Sequence, residues 1–207
     1  MSSSGAHKMF DPIVLASGSA ARARMLTAAG VEFEAIRPGV DEDAIKASLK
    51  ADQAPPANAT ETLAEAKALQ ISLRAPDALV LGSDQLLVCG EAWFDKPQDA
   101  DNLRAQISTL QGRWHSLWTA AVLMRGGQRI WHTRQEAKLL MRPLNLEEID
   151  AYTKAAGDSV LSCVGGYEIE GLGANLFNTI QGDTFVIQGL PLLEVLQALR
   201  DQGRGIS

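Results

Sequence analysis

The stretch IVLASGS, residues 13–19, decides the fold because it joins a short apolar run to a polar turn. Its apolar half predicts a buried strand, and Ser19 at the end of the turn predicts a helix N-cap. Residues 20–29 are good helix formers that end at Gly30, and residues 31–36 predict a second strand. A strand, a turn, a helix and another strand in this order are typical of an α/β protein.

The alternation of helix and strand patterns continues along the chain. The turn Arg125-Gly126-Gly127 predicts a long hairpin, which makes the predicted sheet mixed rather than purely parallel. We also predict a loop over residues 51–59. The other predicted elements are helices over 60–73, 99–110, 146–156 and 191–200, and strands over 78–81, 86–88, 92–94, 113–125, 130–140 and 185–187.

The composition indicates a soluble globular protein of 207 residues, of which 46% are hydrophobic and 21% are charged. A chain of this length can bury a core without a disulfide or a metal, and these fractions exclude a disordered, collagenous or coiled-coil chain. Residues 1–10 are polar, lack the apolar segment of a secretory signal and predict a disordered tail. We predict a single domain with two lobes over residues 11–207.

The net charge of −6 argues against a nucleic acid polymer as partner, because proteins that coat nucleic acid are normally basic. It leaves room for a local basic pocket that binds a small anion. No apolar run approaches the roughly 20 residues that a membrane span needs. Cys89 and Cys163 form no CxxC pair, which is typical of reduced thiols, so we predict a cytoplasmic protein with no membrane partner.

The turn at residues 17–19 is a candidate anion site. Free backbone N–H groups and the dipole at the start of a helix attract a phosphate, and Ser17 and Ser19 lie in this turn. Arg22 lies in the first predicted helical turn and could fold back over that phosphate. The alternative is an ordinary capped helix with a surface arginine.

Asp84 follows a buried strand, at the position where α/β sheets place ligand groups. A carboxylate there must be paired, bound to a metal or at the edge of a cleft, because an isolated buried charge is costly. The alternative is an aspartate in a tight turn. Lys67 and Lys96 are candidate cations for a phosphate site, and a solvated charge is the alternative for each of them.

The acidic triplet at residues 41–43 follows the second predicted strand. It indicates either a solvated turn or a carboxylate that reaches a metal, and hard oxygen ligands beside a phosphate site suit Mg²⁺ or Mn²⁺. With the anion site, the cations and Asp84, the chain has the groups that hydrolysis of a phosphoanhydride needs. A metal neutralises the phosphates in such a reaction, and a base deprotonates water.

Seven short motifs occur in the order and at the spacings of a known family. They are LASGS with Arg22 (15–22), VDE (40–42), AEAKA (64–68), GSDQ (82–85), KP (96–97), GGYEIEGLG (165–173) and GLPL (189–192). Each motif is weak alone, but the ordered set is specific. The chain resembles the Maf (septum formation inhibitor-like) nucleoside triphosphate pyrophosphatases over most of its length.

This resemblance implies a two-lobed Maf/ITPase-like α/β fold with a mixed twisted sheet and a central nucleotide cleft. It also implies a homodimer, a divalent metal (Mg²⁺ or Mn²⁺) and hydrolysis of a nucleoside triphosphate to the monophosphate and pyrophosphate. Asp84 then corresponds to the family's proton acceptor, and Glu42 and Asp84 are the expected metal ligands. The expected phosphate-binding set is Ser17, Ser19, Arg22, Lys67 and Lys96.

The chain departs from the commonest family pattern at three positions that we assign to substrate specificity: Ala21, Gln85 and Glu170. Gln85 and Glu170, with Cys163, resemble the branch that prefers 7-methyl-GTP, although that branch usually has Trp where Ala21 stands. A carboxylate at 170 offers only acceptors, which match the N1–H and the amine of guanine, whereas glutamine would match uracil or thymine. The alternative role of Glu170 is that of a salt-bridge partner near a glycine turn.

We therefore predict a nucleoside triphosphate pyrophosphatase that acts on 7-methyl-GTP or a related non-standard nucleotide. An enzyme specific for UTP and dTTP is the alternative within the same reaction class. A nucleotide-binding regulator of cell division without important catalysis is the alternative from another class, and the presence of Asp84 argues against it.

Overall fold

The computed structural model describes residues 12–204, so the tail predicted for residues 1–10 lies outside the described part. The strands of one sheet are β1 (Ile13–Ala16), β2 (Glu34–Ala35), β3 (Leu79–Cys89), β4 (Ala92–Phe94), β5 (Trp114–Arg125), β6 (Gln128–Met141) and β7 (Phe177–Gln181). The α-helices are α1 (Ala20–Ala28), α2 (Glu42–Ala51), α3 (Pro56–Ser72), α4 (Ala100–Leu110), α5 (Leu146–Ala156), α6 (Thr184–Ile187) and α7 (Leu192–Asp201). Two 3₁₀ segments cover Gly157–Ser162 and Leu172–Leu176.

The sheet is mixed, as the sequence predicts. Six strands follow one another in the order β2-β1-β3-β5-β6-β7. The seventh, β4, pairs with β3 and is not part of this order. β1 runs parallel to β2 and β3, whereas the other pairs are antiparallel. The predicted hairpin joins β5 to β6, and both residues of its Gly126-Gly127 turn have positive φ, a backbone conformation that glycine adopts without steric cost. The predicted α/β class is confirmed.

Predictions for three regions in the first half of the chain are wrong in their extent. The strands predicted over 78–81 and 86–88 belong to the single strand β3, because β3 keeps pairing with β5 from Val80 to Val88. The strand predicted over 31–36 shrinks to β2, which has only two residues. The predicted loop over 51–59 overlaps the end of α2 and the first turns of α3.

The strand predicted over residues 185–187 is also wrong, because these residues lie in helix α6. Three consecutive apolar residues fit either a strand or a buried helical turn, so periodicity cannot separate the two. Asp183 decides the outcome by accepting the backbone N–H of Phe185 at 2.8 Å as a helix cap. The last strand is β7, which pairs with β6 and which the sequence analysis did not predict.

The apolar core covers both faces of β1. Ile13 and Leu15 belong to one cluster of buried apolar side chains, whereas Val14 and Ala16 belong to another. Successive side chains of a strand point to opposite faces, so a strand buried on both faces needs an unbroken apolar run. This explains why the IVLA run is continuous rather than alternating.

The core changes along β3. Leu79 and Leu81 belong to the first cluster, whereas Leu87 and Cys89 belong to a third one that includes helices α4 and α5. Asp84 lies between these two parts of the strand. Within residues 12–204, no helix has the length and the apolar character that a membrane crossing requires.

Candidate active site

A cleft of about 680 Å³ opens where β1 ends and where the core changes along β3. The ten residues that the sequence analysis singles out for chemistry or specificity all line it: Ser17, Ser19, Ala21, Arg22, Glu42, Lys67, Asp84, Gln85, Lys96 and Glu170. A shallower depression of about 580 Å³ beside Asn145 contains none of them. The sequence thus predicts the location of the cleft, and the geometry of each side chain indicates what it can do.

The turn at the start of α1 places a buried arginine. Ser19 is the N-cap of α1 and its side chain accepts from Arg22 N. Arg22 folds back, donating from Nη1 to Ser17 Oγ at 3.0 Å and from Nε to the Gly189 carbonyl at 2.7 Å. Burial lowers the pKa of the Arg22 guanidinium, although the charges of Asp84 and Glu42 oppose this effect. With 7% of Arg22 exposed, the alternative of a surface arginine is wrong.

A glycine brings α3 onto β3. A Cβ at Gly82 would lie 2.3 Å from the Ala64 carbonyl oxygen and 2.8 Å from Ala68 Cβ, so a larger residue would push the helix away. The close approach places Lys67 of α3 beside Asp84 of β3, with 2.5 Å between Lys67 Nζ and Asp84 Oδ1. The solvated alternative is therefore wrong for Lys67.

Lys67 joins two carboxylates. Its Nζ also lies 2.9 Å from Glu42 Oε2, at the start of α2, so Glu42 and Asp84 face the same ammonium. Glu42 is not in a solvated turn, because Asp41 caps α2 and Glu42 is its first residue. Among residues 12–204, no group of three or more His, Cys, Asp or Glu side chains is arranged to hold a metal.

The second oxygen of Asp84 has no hydrogen-bond partner within the described residues. Only 5% of Asp84 is exposed, and its Oδ2 atom is buried. Buried polar atoms are normally hydrogen-bonded, so one that is not calls for an explanation, such as a water, an ion or a ligand. Asp84 Oδ2 therefore remains available to accept a proton or a ligand from the cleft.

Lys96 differs from Lys67 in that it has no ion pair within residues 12–204. It follows β4 and is exposed to the cleft. Desolvation by the surrounding protein lowers the pKa of the Lys96 ammonium, and the positive charges of Arg22 and Lys67 lower it further. The negative charges of Glu42 and Asp84 oppose this shift only in part. Three cations that act on one another electrostatically in one cleft would be stabilised by an anion between them.

Gln85 is held by the protein itself. Its Nε2 atom donates to the Val186 carbonyl at 2.9 Å, to the Ile187 carbonyl at 3.0 Å and to Thr119 Oγ1 at 3.0 Å. These contacts tie α6 to the sheet beside Gly189, the residue whose carbonyl accepts from Arg22. The contacts of Gln85 thus position the segment that carries Gly189.

The predicted specificity residue Glu170 lies in the exposed wall of the cleft. Arg24 of α1 contacts it, with 3.5 Å between Arg24 Nη2 and Glu170 Oε1, and also contacts Glu168 at 3.9 Å. The salt bridge that the alternative interpretation proposes is therefore present. Ala21 also lines the cleft.

Several further residues that line the cleft were not predicted from the sequence. Lys46 pairs with Asp95, with 2.5 Å between Nζ and Oδ1, and Arg24, Arg37 and Glu168 contribute further charges. The signal for Lys46 was the spacing from Glu42, because residues four apart share a helix face. It was missed because α2 was not predicted. Cys163 also lines the cleft, and it and Cys89 are free cysteines, as predicted.

The chain is similar to a family of known proteins. Residues 12–202 match the family model described as "Maf-like protein". A protein of Paramagnetospirillum magneticum named nucleoside triphosphate pyrophosphatase is 47% identical over 190 residues, which cover 92% of this chain and 98% of that protein. One of Rhodospirillum rubrum with the same name is 47% identical over 195 residues, covering 94% and 96%.

A relative with a narrower name is nearly as similar. A 7-methyl-GTP pyrophosphatase of Mesorhizobium japonicum is 44% identical over 195 residues, which cover 94% of this chain and 98% of that protein. The family model and these relatives span the cleft, the sheet and the flanking helices. The family resemblance predicted from the motifs is confirmed, and the chain belongs to the Maf family.

Proposed function

We propose that this protein hydrolyses a nucleoside triphosphate to the nucleoside monophosphate and pyrophosphate. The observation that carries the proposal is the unpartnered Oδ2 of Asp84 in a cleft that also holds Arg22, Lys67 and Lys96. A base beside several cations is what attack of water on a phosphoanhydride requires. The pyrophosphatase names of the relatives in Paramagnetospirillum magneticum and Rhodospirillum rubrum support it.

The phosphates are assigned to the cationic side of the cleft. Arg22 presents a planar guanidinium, and Lys96 presents an ammonium without an ion pair among the described residues. Ser17, Ser19 and the start of α1 add a hydroxyl pair and the positive end of a helix. Charge-assisted hydrogen bonds to phosphate are about twice as strong as neutral ones, so this set would hold the β and γ phosphates as the leaving group.

Asp84 is assigned the role of general base. Lys67 donates to its Oδ1, which fixes the carboxylate, and Oδ2 has no hydrogen-bond partner among residues 12–204. That oxygen can take the proton of the water that attacks the α phosphorus. Positioned bases of this kind contribute about 10²- to 10⁴-fold in rate.

Glu42 and Asp84 are the residues that would hold a divalent metal, Mg²⁺ or Mn²⁺. They face the same point beside Lys67, and one oxygen of Asp84 has no partner within residues 12–204. Mg²⁺ is commonly bound by one or two carboxylates together with substrate phosphates, so two carboxylates without a third fit a metal that enters with the nucleotide. Such a metal neutralises phosphate charge when bound.

The base of the nucleotide is assigned to the part of the cleft that Ala21 and Glu170 line, with 7-methyl-GTP as the proposed substrate. A carboxylate at Glu170 can accept from N1–H and the amine of guanine together, and the positive charge of a 7-methylated purine strengthens the contact. Arg24 is half-exposed and can release Glu170 at little cost. The name of the Mesorhizobium japonicum relative supports this choice over UTP or dTTP.

The proposed reaction is tested by product analysis. The protein is incubated with a panel of ordinary and modified nucleoside triphosphates and Mg²⁺, and the products are separated by ion-exchange chromatography. We expect monophosphate and pyrophosphate in equal amounts, fastest from 7-methyl-GTP, and loss of activity with EDTA. Release of orthophosphate from the γ position would contradict the proposed bond, and tight nucleotide binding without turnover would favour the regulator.

We also propose, from the family resemblance, that the chain forms a homodimer and acts in the cytoplasm. Light scattering after size-exclusion chromatography tests the first point, since a dimer has twice the mass of the chain. A mass equal to that of one chain at micromolar concentration would contradict it.

A further inference from the structure

We propose that Lys46 is a further triphosphate-binding residue, and that a bound triphosphate takes the place of Asp95 as its partner. The proposal rests on the proposed function and concerns the same cleft. It assigns a role to the helix α2, which the sequence analysis did not predict.

Helix α2 is held to the rest of the protein without a fully buried residue. Its inner face consists of side chains that are only half-buried: Glu42, Ile45, Lys46 and Leu49. Its polar contacts to other elements run from Glu42 to Lys67, from Lys46 to Asp95, and from Lys50 to the ring of Trp93 at 5.4 Å. The first two lie in the cleft, whereas Lys50 and Trp93 do not line it.

Lys46 faces the reacting groups from α2. Burial alone would lower the pKa of its ammonium, but the hydrogen bond to Asp95 and the charges of Asp95, Asp84 and Glu42 outweigh burial and raise it. The carboxylate that is assigned as base therefore acts on Lys46 through space. Lys46 lies one turn after Glu42, on the same face of α2.

The ammonium of Lys46 has unused donors. A lysine carries three N–H donors, and among residues 12–204 Asp95 is the one acceptor within reach of Lys46 Nζ. Only 17% of the Lys46 side chain is exposed, and the residue lines the cleft. A phosphate oxygen in the cleft would satisfy its remaining donors.

Asp95 is suited to be displaced. Its side chain is 56% exposed, so water can solvate the carboxylate once Lys46 leaves it. It also precedes Lys96, so its negative charge stands at a wall that is assigned to phosphates. When a phosphate replaces Asp95 as the partner of Lys46, the ammonium gains a more highly charged partner. The Asp95 carboxylate can then turn away from the negatively charged phosphate.

The experiment measures binding and turnover separately. In Lys46→Gln we expect the KM for the nucleotide and the Kd for inorganic pyrophosphate to rise about ten- to a hundredfold, because a charged hydrogen bond is lost. We expect kcat to change much less. Lys50→Gln is the matched control, since it removes a lysine from the same helix outside the cleft, and it should change neither constant.

Asp95→Asn completes a double-mutant cycle. It removes the competing carboxylate, so the Kd for pyrophosphate should fall, and this gain should disappear when Lys46 is also Gln. The Asp95→Asn arm tests the proposal even if Lys46→Gln fails to fold, which circular dichroism would reveal. Equal constants in Lys46→Gln and Lys50→Gln, an additive cycle, or an unchanged Kd in Asp95→Asn would each overturn the proposal.

These outcomes are separate from those that test the reaction. If no triphosphate is cleaved to pyrophosphate by the unsubstituted protein, the proposed function fails. Calorimetric titration with pyrophosphate needs no turnover, so it still decides whether Lys46 binds the phosphate chain.

Discussion

The floor of the cleft, defined here as Ser17, Arg22, Lys67 and Asp84, is buried, whereas its rim, defined as Arg24, Glu168 and Glu170, is partly or largely exposed to solvent. The floor is held by short hydrogen bonds to backbone and side chains and by the close approach of α3 to β3. The rim is held by ion pairs of 3.5 and 3.9 Å near the surface, which contribute little stability. The floor holds its side chains in fixed positions, as cleavage of one particular phosphoanhydride bond requires. The rim can adjust its side chains to the base of the nucleotide that is bound.

The largest effect is expected from Asp84→Asn, which changes the floor alone. Asparagine keeps the shape and can still accept from Lys67, but it cannot take a proton from water. We expect turnover to fall by about 10²- to 10⁴-fold with the thermal midpoint nearly unchanged. Steady-state kinetics and circular dichroism measure the two quantities.

The matched control for this change is Asp43→Asn, which alters an exposed carboxylate in the same cleft. It should leave turnover close to that of the unsubstituted protein. If Asp84→Asn also retains near-normal turnover, Asp84 is not the base.

The next effect is expected from Glu170→Gln, which changes the rim alone. Replacing an acceptor by an amide donor weakens the fit to guanine and improves the fit to uracil. The ratio of kcat/KM for 7-methyl-GTP over UTP should fall about ten- to a hundredfold, by analogy with bidentate readout of bases in nucleic acids.

Glu168→Gln serves as the control at the rim, because it alters the other partner of Arg24 and leaves Glu170 intact. It should change the ratio much less. A ratio near one in the unsubstituted protein would refute the assigned base specificity and leave the reaction class untouched.

The floor could be predicted from sequence because its residues lie beside the strong local signals. Asp84 follows an apolar run, and Ser17 and Arg22 flank the start of a helix that follows another. Their contacts could not be predicted in the same way. The Arg22 bond to Gly189 spans 167 residues of sequence, and the Lys67–Asp84 contact depends on the absence of a side chain at Gly82.

A third prediction tests this dependence on Gly82. A Cβ there would lie 2.3 Å from the Ala64 carbonyl oxygen, so Gly82→Ala must move α3 and with it Lys67. We expect a loss of about 1–3 kcal/mol in the free energy of unfolding, together with reduced turnover. Urea denaturation and kinetics measure both.

Gly39→Ala is the control for this change, since the nearest atom to a Cβ at that position, among residues 12–204 beyond its chain neighbours, is Gln70 Nε2 at 3.8 Å. Its stability should stay near that of the unsubstituted protein. Full stability and turnover in Gly82→Ala would mean that the approach of α3 does not set the position of Lys67.

The elements that the sequence mispredicted depend on tertiary contacts. Helix α6 contains three consecutive apolar residues, and its Val186 carbonyl accepts from Gln85 and from Thr119. Helix α2 begins within an acidic triplet that is typical of a turn. Its Lys46–Asp95 contact joins segments 49 residues apart. Such contacts leave no periodic trace in the sequence.

At neutral pH, His115→Gln is expected to have the smallest effect of these substitutions, and its effect is on the free energy of unfolding. His115 lies beneath the wall of the cleft. His115 Nε2 lies 2.9 Å from the hydroxyl of Tyr167, which lines the cleft, and burial lowers the pKa of His115 to about 4. In the unfolded chain this imidazole takes up a proton near pH 6.5. The contribution of neutral His115 to the free energy of unfolding is therefore fully present above pH 6.5 and is lost as the pH falls through 4.

The free energy of unfolding at pH 7.5 and at pH 4.5 measures this contribution. Between these two pH values, the free energy of unfolding of the unsubstituted protein should fall by up to about 2 kcal/mol more than that of His115→Gln. An equal loss in both proteins would show that His115 is not the group whose titration matters.

The central claim is that the floor, together with Ser19 and Lys96, binds the β and γ phosphates and that Asp84 directs water to the α phosphorus. Hydrolysis of the preferred triphosphate in ¹⁸O-labelled water, followed by mass spectrometry of both products, tests it most directly. We predict one ¹⁸O atom in the phosphate of the nucleoside monophosphate and none in the pyrophosphate. Label in the pyrophosphate, or in released orthophosphate, would contradict the assigned arrangement of the floor.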